Sequence, residues 1–300
     1  MGAAQGEDLM RILVTGAEGQ LGRDVTRVCA EAGDEVIAAG RDRLDITDRA
    51  GVHAAIAETR PDAVINCAAH TGVDACESEE ERAHLINGLA VRWLAEAIDT
   101  HGGHLVQIST DYVFDGTLDR PYREWDTVNP ASAYGRSKLA GETEAAALGS
   151  SAATVRTSWV CGEHGNNMVA TVLRLIGERD HLSFVDDQIG NPTFTADLAL
   201  ALREIALERR SGIHHLTNSG SVSWFEFVRE IVAAAGRDPS MVSPISTADL
   251  DPPRPAPRPA NSVLDNAVWR LAGRAPLRHH TEPLAELVAR RPGCRHGRRP

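Results

Sequence analysis

The apolar residues of the chain fall into short runs that alternate with longer amphipathic stretches. A run at Arg11–Thr15 precedes an amphipathic stretch at 20–32, and a run at Glu35–Ala39 precedes another at 48–58. Short apolar runs are typical of strands buried on both faces, and a period near 3.6 is typical of the helices that cover them. The alternation predicts right-handed βαβ units, and therefore an α/β fold with a doubly wound parallel sheet.

The alternation continues to about Trp159 and is looser beyond that residue. Ser223 followed by Glu226 predicts a capping box that opens a late helix, and Ser78 followed by Glu81 predicts another. The other predicted elements are strands at 63–69, 105–109, 154–158 and 213–217, helices at 78–100, 134–148, 167–178, 195–209 and 224–235, and a proline-rich loop at 251–259.

Composition argues against several classes of function. A formal net charge of -11 over 300 residues argues against a nucleic-acid-binding surface. No apolar run approaches the roughly 20 residues that a membrane-spanning helix needs. The five cysteines are odd in number and lie mostly in apolar segments, which is typical of reduced thiols rather than of disulfides or a metal site. We expect a cytoplasmic protein with no metal, membrane or nucleic-acid partner, and a homodimer stays open.

Lys138 is the only lysine of the chain, and it stands four residues after Tyr134. On a helix, two such residues share a face and lie one turn apart. A neighbouring ammonium group stabilises a phenolate, so the pair predicts a tyrosine proton donor whose pKa is lowered by a cation. The alternative interpretation is an exposed helix face that carries both residues.

The first predicted strand runs into a glycine-rich turn with Gly16, Gly19 and Gly22 at three-residue spacing. Glycine permits a tight turn and a close approach of a pyrophosphate to the N-terminus of the following helix. The position between strand and helix therefore predicts a dinucleotide-binding turn. No acidic residue stands directly at the end of the second strand, where the adenosine ribose is recognised. Arg41 at that end favours the 2′-phosphate of NADPH, and the alternative is a solvated surface arginine.

Polar residues also follow the predicted strand at 105–109. Ser109, Thr110 and Asp111 come where this strand ends. Ligands of open parallel sheets bind beyond the carboxyl ends of the strands. Thr110 is therefore placed to hydrogen bond a substrate carbonyl oxygen beside the Tyr134 phenol.

Eight stretches carry the recognisable motifs of the chain, at 14–22, 44–46, 66–74, 109–116, 134–142, 156–160, 187–193 and 258–262. Among them, S-T-D-Y-V-F-D-G, Y-G-x-x-K-x-x-G-E and R-T-S-W-V are far more specific than the glycine turn. Together they resemble the dTDP-4-dehydrorhamnose reductase group of the extended short-chain dehydrogenase/reductases. The resemblance covers about residues 10–290.

This resemblance implies a Rossmann-type sheet with a smaller C-terminal substrate-binding α/β domain. It also implies reduction of the C4 keto group of a dTDP-linked 4-keto-6-deoxysugar, with NADPH or NADH as cofactor. The expected division is a cofactor-binding domain at 10–160 with 192–217 returning to it, a substrate-binding domain at 161–191 and 218–289, and disordered tails at 1–9 and 290–300.

The resemblance further implies which residues form the site. His70 has the alternative of a satisfied strand-end histidine, and Trp159 that of a core residue, although a tryptophan at a strand end suits stacking on a sugar face. The implied residues are Thr110, Tyr134 and Lys138 for catalysis; Gly16, Gly19, Gln20, Leu21, Gly22, Asp45, Ile46, Ala69, His70, Thr71, Tyr134 and Lys138 for the cofactor; and Thr110, Asp111 and Trp159 for the deoxysugar.

Two other functions stay open on the sequence. One is another nucleotide-sugar ketoreductase of an antibiotic sugar pathway, of the dTDP-dihydrostreptose synthase type. The other is a non-catalytic, cofactor-binding regulatory subunit, because a relative of this family has that role for methionine adenosyltransferase. The joint presence of Thr110, Tyr134 and Lys138 argues against the second.

Overall fold

The computed structural model of the chain describes residues 9–291. The predicted tails at 1–9 and 290–300 lie outside the described residues, except for Leu9, which is exposed, and residues 290–291 at the end of the last helix. The strands are β1 (Arg11–Thr15), β2 (Glu35–Ala39), β3 (Ala63–Asn66), β4 (Leu105–Thr110), β5 (Ala152–Thr157), β6 (Val160–Cys161), β7 (Leu182–Val185), β8 (Ile189–Gly190), β9 (Thr193–Phe194), β10 (Gly212–His215), β11 (Val222–Ser223) and β12 (Val242–Ile245).

Helices connect most of these strands. A π-helical turn at Leu85–Leu89 joins the fourth helix to the fifth. The α-helices are α1 (Gln20–Glu31), α2 (Arg49–Thr59), α3 (Val73–Ser78), α4 (Glu80–His84), α5 (Ala90–His101), α6 (Ala133–Ala146), α7 (Met168–Glu178), α8 (Thr195–Leu207), α9 (Trp224–Ala234), α10 (Ala267–Leu271) and α11 (Thr281–Arg290).

A six-stranded parallel sheet forms the centre of the fold, in the order β2-β1-β3-β4-β5-β10. Strands β3 and β5 are buried at every position, including the polar residues Asn66 and Arg156. The chain leaves β1 toward β2 on one side and returns to β3 on the other, so the strand order reverses at β1. A crevice for ligands is expected at the carboxyl ends of the strands beside this reversal.

Helices cover both faces of the sheet. On one face, Val25 of α1 and Leu202 of α8 are buried in a common apolar cluster with β1. On the other face, Ile56 of α2 and Leu94 of α5 form a second cluster with Leu13 of β1. Each fully buried side chain of this size contributes about 1.5–3 kcal/mol through removal from water. The predicted doubly wound α/β fold is confirmed.

A separate apolar core lies in the C-terminal half of the chain. Val172 of α7, Phe227 and Ile231 of α9, and Leu284 of α11 are buried together. Strands β7 and β12 form a parallel pair of their own, whereas β10 belongs to the large sheet. The division into two domains stays a prediction, and this second core is the observation that supports it.

The segment predicted as one helix at 78–100 is divided in the structure. Helix α3 ends at Ser78, whose hydroxyl donates to the Ala75 carbonyl oxygen at 3.1 Å. The predicted capping box at Ser78 is therefore wrong, because this residue closes one helix and does not open the next. At the other predicted box, Ser223 accepts a hydrogen bond from the Glu226 amide at 3.1 Å and caps α9, as expected.

Three features of residues 9–291 bear on the classes of function considered above. None of their helices combines the length and the apolar character that crossing a bilayer requires. Their four cysteines, Cys29, Cys67, Cys76 and Cys161, are free thiols. No three His, Cys, Asp or Glu side chains of this part of the chain converge in a way that could hold a metal ion.

We expect the fold to lose stability in mild acid because of His104, at the start of β4. Burial lowers the pKa of this fully buried side chain from 6.5 to about 4. In the unfolded chain His104 takes up a proton near pH 6.5. Its contribution to the free energy of unfolding is therefore complete above that pH and is lost as the pH falls toward 4. At pH 5 the loss is about 2 kcal/mol. Urea unfolding of a His104→Gln variant should show a weaker fall between pH 7.5 and pH 5 than the parent, and equal falls would contradict this assignment.

Candidate active site

A cleft of about 430 Å³ opens at the carboxyl ends of β1, β3, β4 and β5. It lies beside the reversal of strand order, where the fold class predicts a ligand site. Its walls come from the glycine turn, three strand ends, the start of α6 and the first residue of α9. The lining residues are Gly19, Gln20, Leu21, Gly22, Asn66, Cys67, Ala68, Ala69, Thr71, Val73, Ile108, Ser109, Thr110, Asp111, Tyr112, Tyr134, Lys138, Thr157, Ser158, Trp159, Val160, Asn166 and Trp224.

The glycine turn leaves room for an anion at the N-terminus of α1. Gly16 has φ of 61°, a left-handed conformation that favours glycine, and a Cβ there would lie 2.6 Å from the Ala68 nitrogen. A Cβ on Gly22 would lie 2.2 Å from the Gly16 carbonyl oxygen. Gly19 caps α1 with no side-chain hydrogen bond, so the first amide groups of the helix face the cleft without a side-chain partner. These features fit the pyrophosphate of a dinucleotide.

Lys138 and Tyr134 both reach the cleft from α6. Lys138 Nζ donates to the Ile108 carbonyl oxygen at 2.6 Å, which ties α6 to the end of β4. Tyr134 packs edge-to-face against Tyr112, with 5.8 Å between ring centroids. Helix α6 lies close to the turn after β4 because Gly135 has no side chain, and a Cβ there would be 2.2 Å from the Tyr112 carbonyl oxygen. The predicted shared face of Tyr134 and Lys138 thus points into the cleft.

The expected lowering of the Tyr134 pKa by Lys138 is not found. Burial raises the pKa of Tyr134, and a hydrogen bond with Thr110 acts in the opposite direction. Burial also lowers the pKa of Lys138 to about 8, while the charge of Glu142 opposes that shift. Tyr134 therefore holds its proton at neutral pH in this structure, which is the state that a proton donor requires.

Thr110 and Asp111 lie at the end of β4, beside Tyr134. The Thr110 hydroxyl donates to Asp111 Oδ1 at 2.9 Å. Asp111 Oδ2 is buried and accepts no hydrogen bond of regular geometry among residues 9–291, and the Ser262 hydroxyl lies near enough to this carboxyl group to lower its pKa. Burial raises the pKa of Asp111 to about 6. A buried carboxylate oxygen of this kind suits a hydroxyl donor of a bound ligand.

The π-helical turn braces one wall of the cleft. Asn87, inside this turn, accepts a hydrogen bond from the His70 amide at 2.8 Å and donates to the His70 carbonyl oxygen at 3.0 Å. Its side-chain nitrogen also donates to Ser137 Oγ at 2.9 Å, on α6. Asn87 thus links the segment after β3 to the helix that carries Tyr134 and Lys138.

A buried ion pair holds the C-terminal half of α6 against the sheet. Arg156 of β5 donates from Nη2 to Glu142 Oε2 at 2.7 Å, and the two side chains are 3% and 5% exposed. The Ser109 hydroxyl donates to Glu142 Oε1 at 2.5 Å. Glu142 therefore joins α6 to both β4 and β5, one turn beyond Lys138.

Two stacked tryptophans, Trp159 and Trp224, form part of the wall of the cleft. Trp159 has φ of 45°, which is unusual for a bulky residue and turns the chain after β5. The centroid of its ring lies 3.5 Å from that of the Trp224 ring, with an angle of 7° between the two ring planes. Gly190 packs on Trp159 as well, because a Cβ on Gly190 would lie 2.5 Å from Trp159 Cε2. Trp159 is therefore held against another ring, and its stacking on a sugar stays a prediction.

We expect a Gly190→Ala substitution to separate the two indole rings. The added methyl group would overlap Trp159, whose other face is held by Trp224. Stacked indoles give an exciton couplet in far-ultraviolet circular dichroism, and this couplet should weaken in the variant. A Gly177→Ala variant is the control, because a Cβ at Gly177 meets no atom within 4 Å. An unchanged couplet in Gly190→Ala would contradict the geometry.

The cleft brings most of the predicted site residues together. Asp45 and Ile46 are outside this lining, and their contact with the cofactor stays a prediction. Asp45 accepts hydrogen bonds from Thr47, and Ile46 is buried in an apolar cluster with Leu44. His70 faces Glu79 at 3.5 Å and is outside the lining, as is Gly16 beneath the turn. Predicted residues in the lining are Gly19, Gln20, Leu21, Gly22, Ala69, Thr71, Thr110, Asp111, Tyr134, Lys138 and Trp159.

Trp224 and Asn66 are among the cleft residues that the sequence did not assign to the site. The sequence around Trp224 predicts only the beginning of a helix, and nothing in it indicates that this side chain lines the cleft. Asn66 was detectable as a polar residue at the end of an apolar strand. In the structure Asn66 accepts from Thr15 Oγ1 at 2.5 Å and donates to Gln107 at 2.7 Å, which links three neighbouring strands.

Comparison with known proteins agrees with this site. The family model described as RmlD substrate binding domain matches residues 10–291. The chain is 45% identical over 282 residues to a dTDP-4-dehydrorhamnose reductase of Streptomyces griseus, with 92% of each protein covered. It is 43% identical over 297 residues to a probable dTDP-4,6-dihydroxy-2-methyloxan-3-one 4-ketoreductase of Streptomyces antibioticus, with 96% of this chain and 99% of that protein covered.

A solved structure shows the same architecture. The Bacillus anthracis dTDP-4-dehydrorhamnose reductase, crystallised in complex with NADP, superposes with a TM-score of 0.90 at 37% identity. The match covers 94% of this chain and 100% of that one. The resemblance found in the sequence is confirmed, and the chain belongs to the RmlD substrate binding domain family, that of the dTDP-4-dehydrorhamnose reductases.

Proposed function

We propose that the protein reduces the C4 keto group of a dTDP-4-keto-6-deoxyhexose with NADPH or NADH. The substrate that we propose is dTDP-4-dehydro-L-rhamnose, and the product is dTDP-L-rhamnose. The observation that carries the proposal is the presence of Thr110, Tyr134 and Lys138 in one cleft with the uncapped start of α1. Relatives more than 40% identical are named as reductases of such sugars.

The reduced nicotinamide, when bound, supplies the hydride that C4 of the sugar receives. Tyr134 donates its phenolic proton to the carbonyl oxygen as that oxygen gains negative charge. The Thr110 hydroxyl orients the same oxygen beside Tyr134. Lys138 stabilises the phenolate that remains, and its ammonium group hydrogen bonds to the nicotinamide ribose.

The lowered pKa of Lys138 bears on this role. Its pKa of about 8 follows from burial, and a bound dinucleotide brings negative charge that favours the charged ammonium. The raised pKa of Tyr134 keeps the phenol protonated until negative charge develops on the substrate oxygen and the proton is transferred. The two residues thus hold the protonation states that ketone reduction requires.

The sugar end of the cleft has a polar and an apolar part. Asp111, whose buried Oδ2 accepts no hydrogen bond of regular geometry from residues 9–291, is proposed to accept one from a sugar hydroxyl. Trp159 and Trp224 offer an apolar wall that suits a 6-deoxy carbon without a hydroxyl group. Reduced cysteines and a soluble biosynthetic substrate fit action in the cytoplasm.

A second candidate is a ketoreductase of another deoxysugar route. The relative from Streptomyces antibioticus, at 43% identity over nearly the whole chain, favours this candidate. Its substrate differs in the sugar and not in the chemistry, so the same three residues would act. Only the substrate distinguishes the two proposals.

The decisive experiment supplies dTDP-4-keto-6-deoxyglucose together with NADPH or NADH, with and without a 3,5-epimerase. Loss of reduced-nicotinamide absorbance that depends on the epimerase supports the rhamnose reaction. Loss without the epimerase supports the second candidate. No loss in either arm, with a folded protein that binds the cofactor, would overturn the proposed function.

A further inference from the structure

The acid that is missing from the end of β2 in the sequence is supplied by Glu18 of the glycine turn. An ideal Cβ on Gly40, the residue after β2, would lie 2.5 Å from Glu18 Cδ and 2.7 Å from Glu18 Oε1. The carboxyl group of Glu18 therefore packs on the Cα of Gly40. Any side chain at position 40 would displace it, so Gly40 makes room for an acid that arrives from a different loop.

The loop that carries Glu18 is held against the end of β2. The Ala17 amide donates to the Ala39 carbonyl oxygen at 3.2 Å. Arg23 Nε donates to the Glu18 carbonyl oxygen at 2.9 Å, one turn into α1. These two bonds fix the backbone on both sides of the Glu18 side chain, which is exposed to solvent.

The end of β2 in this fold class faces the adenosine ribose of a dinucleotide. An acid there accepts hydrogen bonds from the ribose hydroxyls, whereas a 2′-phosphate requires a basic residue. Arg41 stands next to Gly40, but its Nε pairs with Asp45 Oδ2 at 3.4 Å, and its side chain is 71% exposed. The ribose end therefore carries a carboxylate packed on the backbone and a guanidinium group that already has an acidic partner.

We propose that Glu18 determines cofactor selectivity, by accepting the ribose hydroxyls of NADH and repelling the 2′-phosphate of NADPH. Arg41 acts in the opposite sense and keeps NADPH usable. This inference rests on the proposed use of a reduced nicotinamide and names the residue that selects between its two forms. The chain accordingly uses NADH at least as well as NADPH.

The test measures binding and needs no sugar. Dissociation constants for 2′,5′-ADP and 5′-AMP, which differ in the 2′-phosphate, are determined by calorimetry for the parent and for Glu18→Gln. We expect the variant to favour 2′,5′-ADP over 5′-AMP about tenfold more than the parent does, the size expected for unit charges a few ångströms apart near water. The difference between parent and variant should shrink in high salt, because screening weakens charge repulsion.

Glu35→Gln is the matched control, since it removes the same charge from the other end of β2, about 13 Å away along the strand. In Glu35→Gln, the ratio of the dissociation constants for 5′-AMP and 2′,5′-ADP should equal that of the parent. Arg41→Ala should shift the ratio in the direction opposite to Glu18→Gln. A ratio for Glu18→Gln within twofold of the parent would overturn the inference. The predicted shift in a protein that reduces no sugar would support the inference and count only against the proposed reaction.

Discussion

A Tyr134→Phe variant is expected to reduce the sugar about 10²–10⁴-fold more slowly than the parent, the usual contribution of a positioned proton donor. The substitution removes the phenolic hydroxyl and keeps the ring that packs against Tyr112. No neighbouring group replaces the donor directly, because Lys138 is committed to the Ile108 carbonyl oxygen and Thr110 to Asp111. The effect should fall on kcat, while the dissociation constant of the reduced nicotinamide stays within about threefold of the parent.

Tyr112 offers a matched control for this variant. It lines the same cleft and also carries a hydroxyl, yet it comes from the turn after β4 and not from the helix of Lys138. Tyr112→Phe should lose less than tenfold in kcat. Equal losses in the two variants would show that the cleft tolerates neither change, and a parent-like rate for Tyr134→Phe would remove Tyr134 from the reaction.

Local patterns predicted the strands of the sheet well, although the edge strand β2 is only partly buried. The bounds of β1 and β2 agree with the sequence analysis to the residue, since each is a short apolar run closed by a glycine turn or a charged residue. The helix predicted at 78–100 begins at Glu80 in the structure, and the π turn at Leu85–Leu89 interrupts it for a reason of tertiary origin. Asn87 turns its amide toward His70, seventeen positions away in the chain, and the regular helix yields to a π turn.

For the site as well, contacts within one element could be predicted from the sequence, and contacts between distant segments could not. Tyr134 and Lys138 lie on one helix, so their spacing sufficed to place them together. The approach of Glu18 to Gly40 and the stacking of Trp159 on Trp224 join distant segments, and no local pattern contains them. The pKa of Tyr134 was predicted with the wrong sign, because a neighbouring cation is visible in the sequence and burial is not.

The largest effect on stability is expected from Arg156→Met, which leaves the Glu142 carboxylate buried without its cation. Both side chains are at most 5% exposed, so water cannot replace the lost partner. Removing one member of such a pair costs about 3–5 kcal/mol in the free energy of unfolding. Urea unfolding, followed by circular dichroism, measures this loss directly.

An exposed pair provides the control. Arg174 and Glu178 on α7 lie 2.8 Å apart but are 60% and 52% exposed. Arg174→Met should cost less than about 1 kcal/mol, because water solvates the remaining carboxylate. A cost for Arg156→Met that is no larger than this would mean that the buried pair is not tightly coupled.

Neutralising both partners should restore part of the lost stability. In the double variant Glu142→Leu with Arg156→Met, no unpaired charge remains buried, and apolar groups of similar volume fill the space. Ser109 then loses its acceptor, so a residual cost of about 1–3 kcal/mol is expected from its buried hydroxyl. The double variant should still fold. It should reduce the sugar more slowly, because Ser109 adjoins Thr110 and Glu142 lies one turn beyond Lys138. Recovery of stability without recovery of kcat would separate the role of the pair in positioning the site from its role in holding the fold.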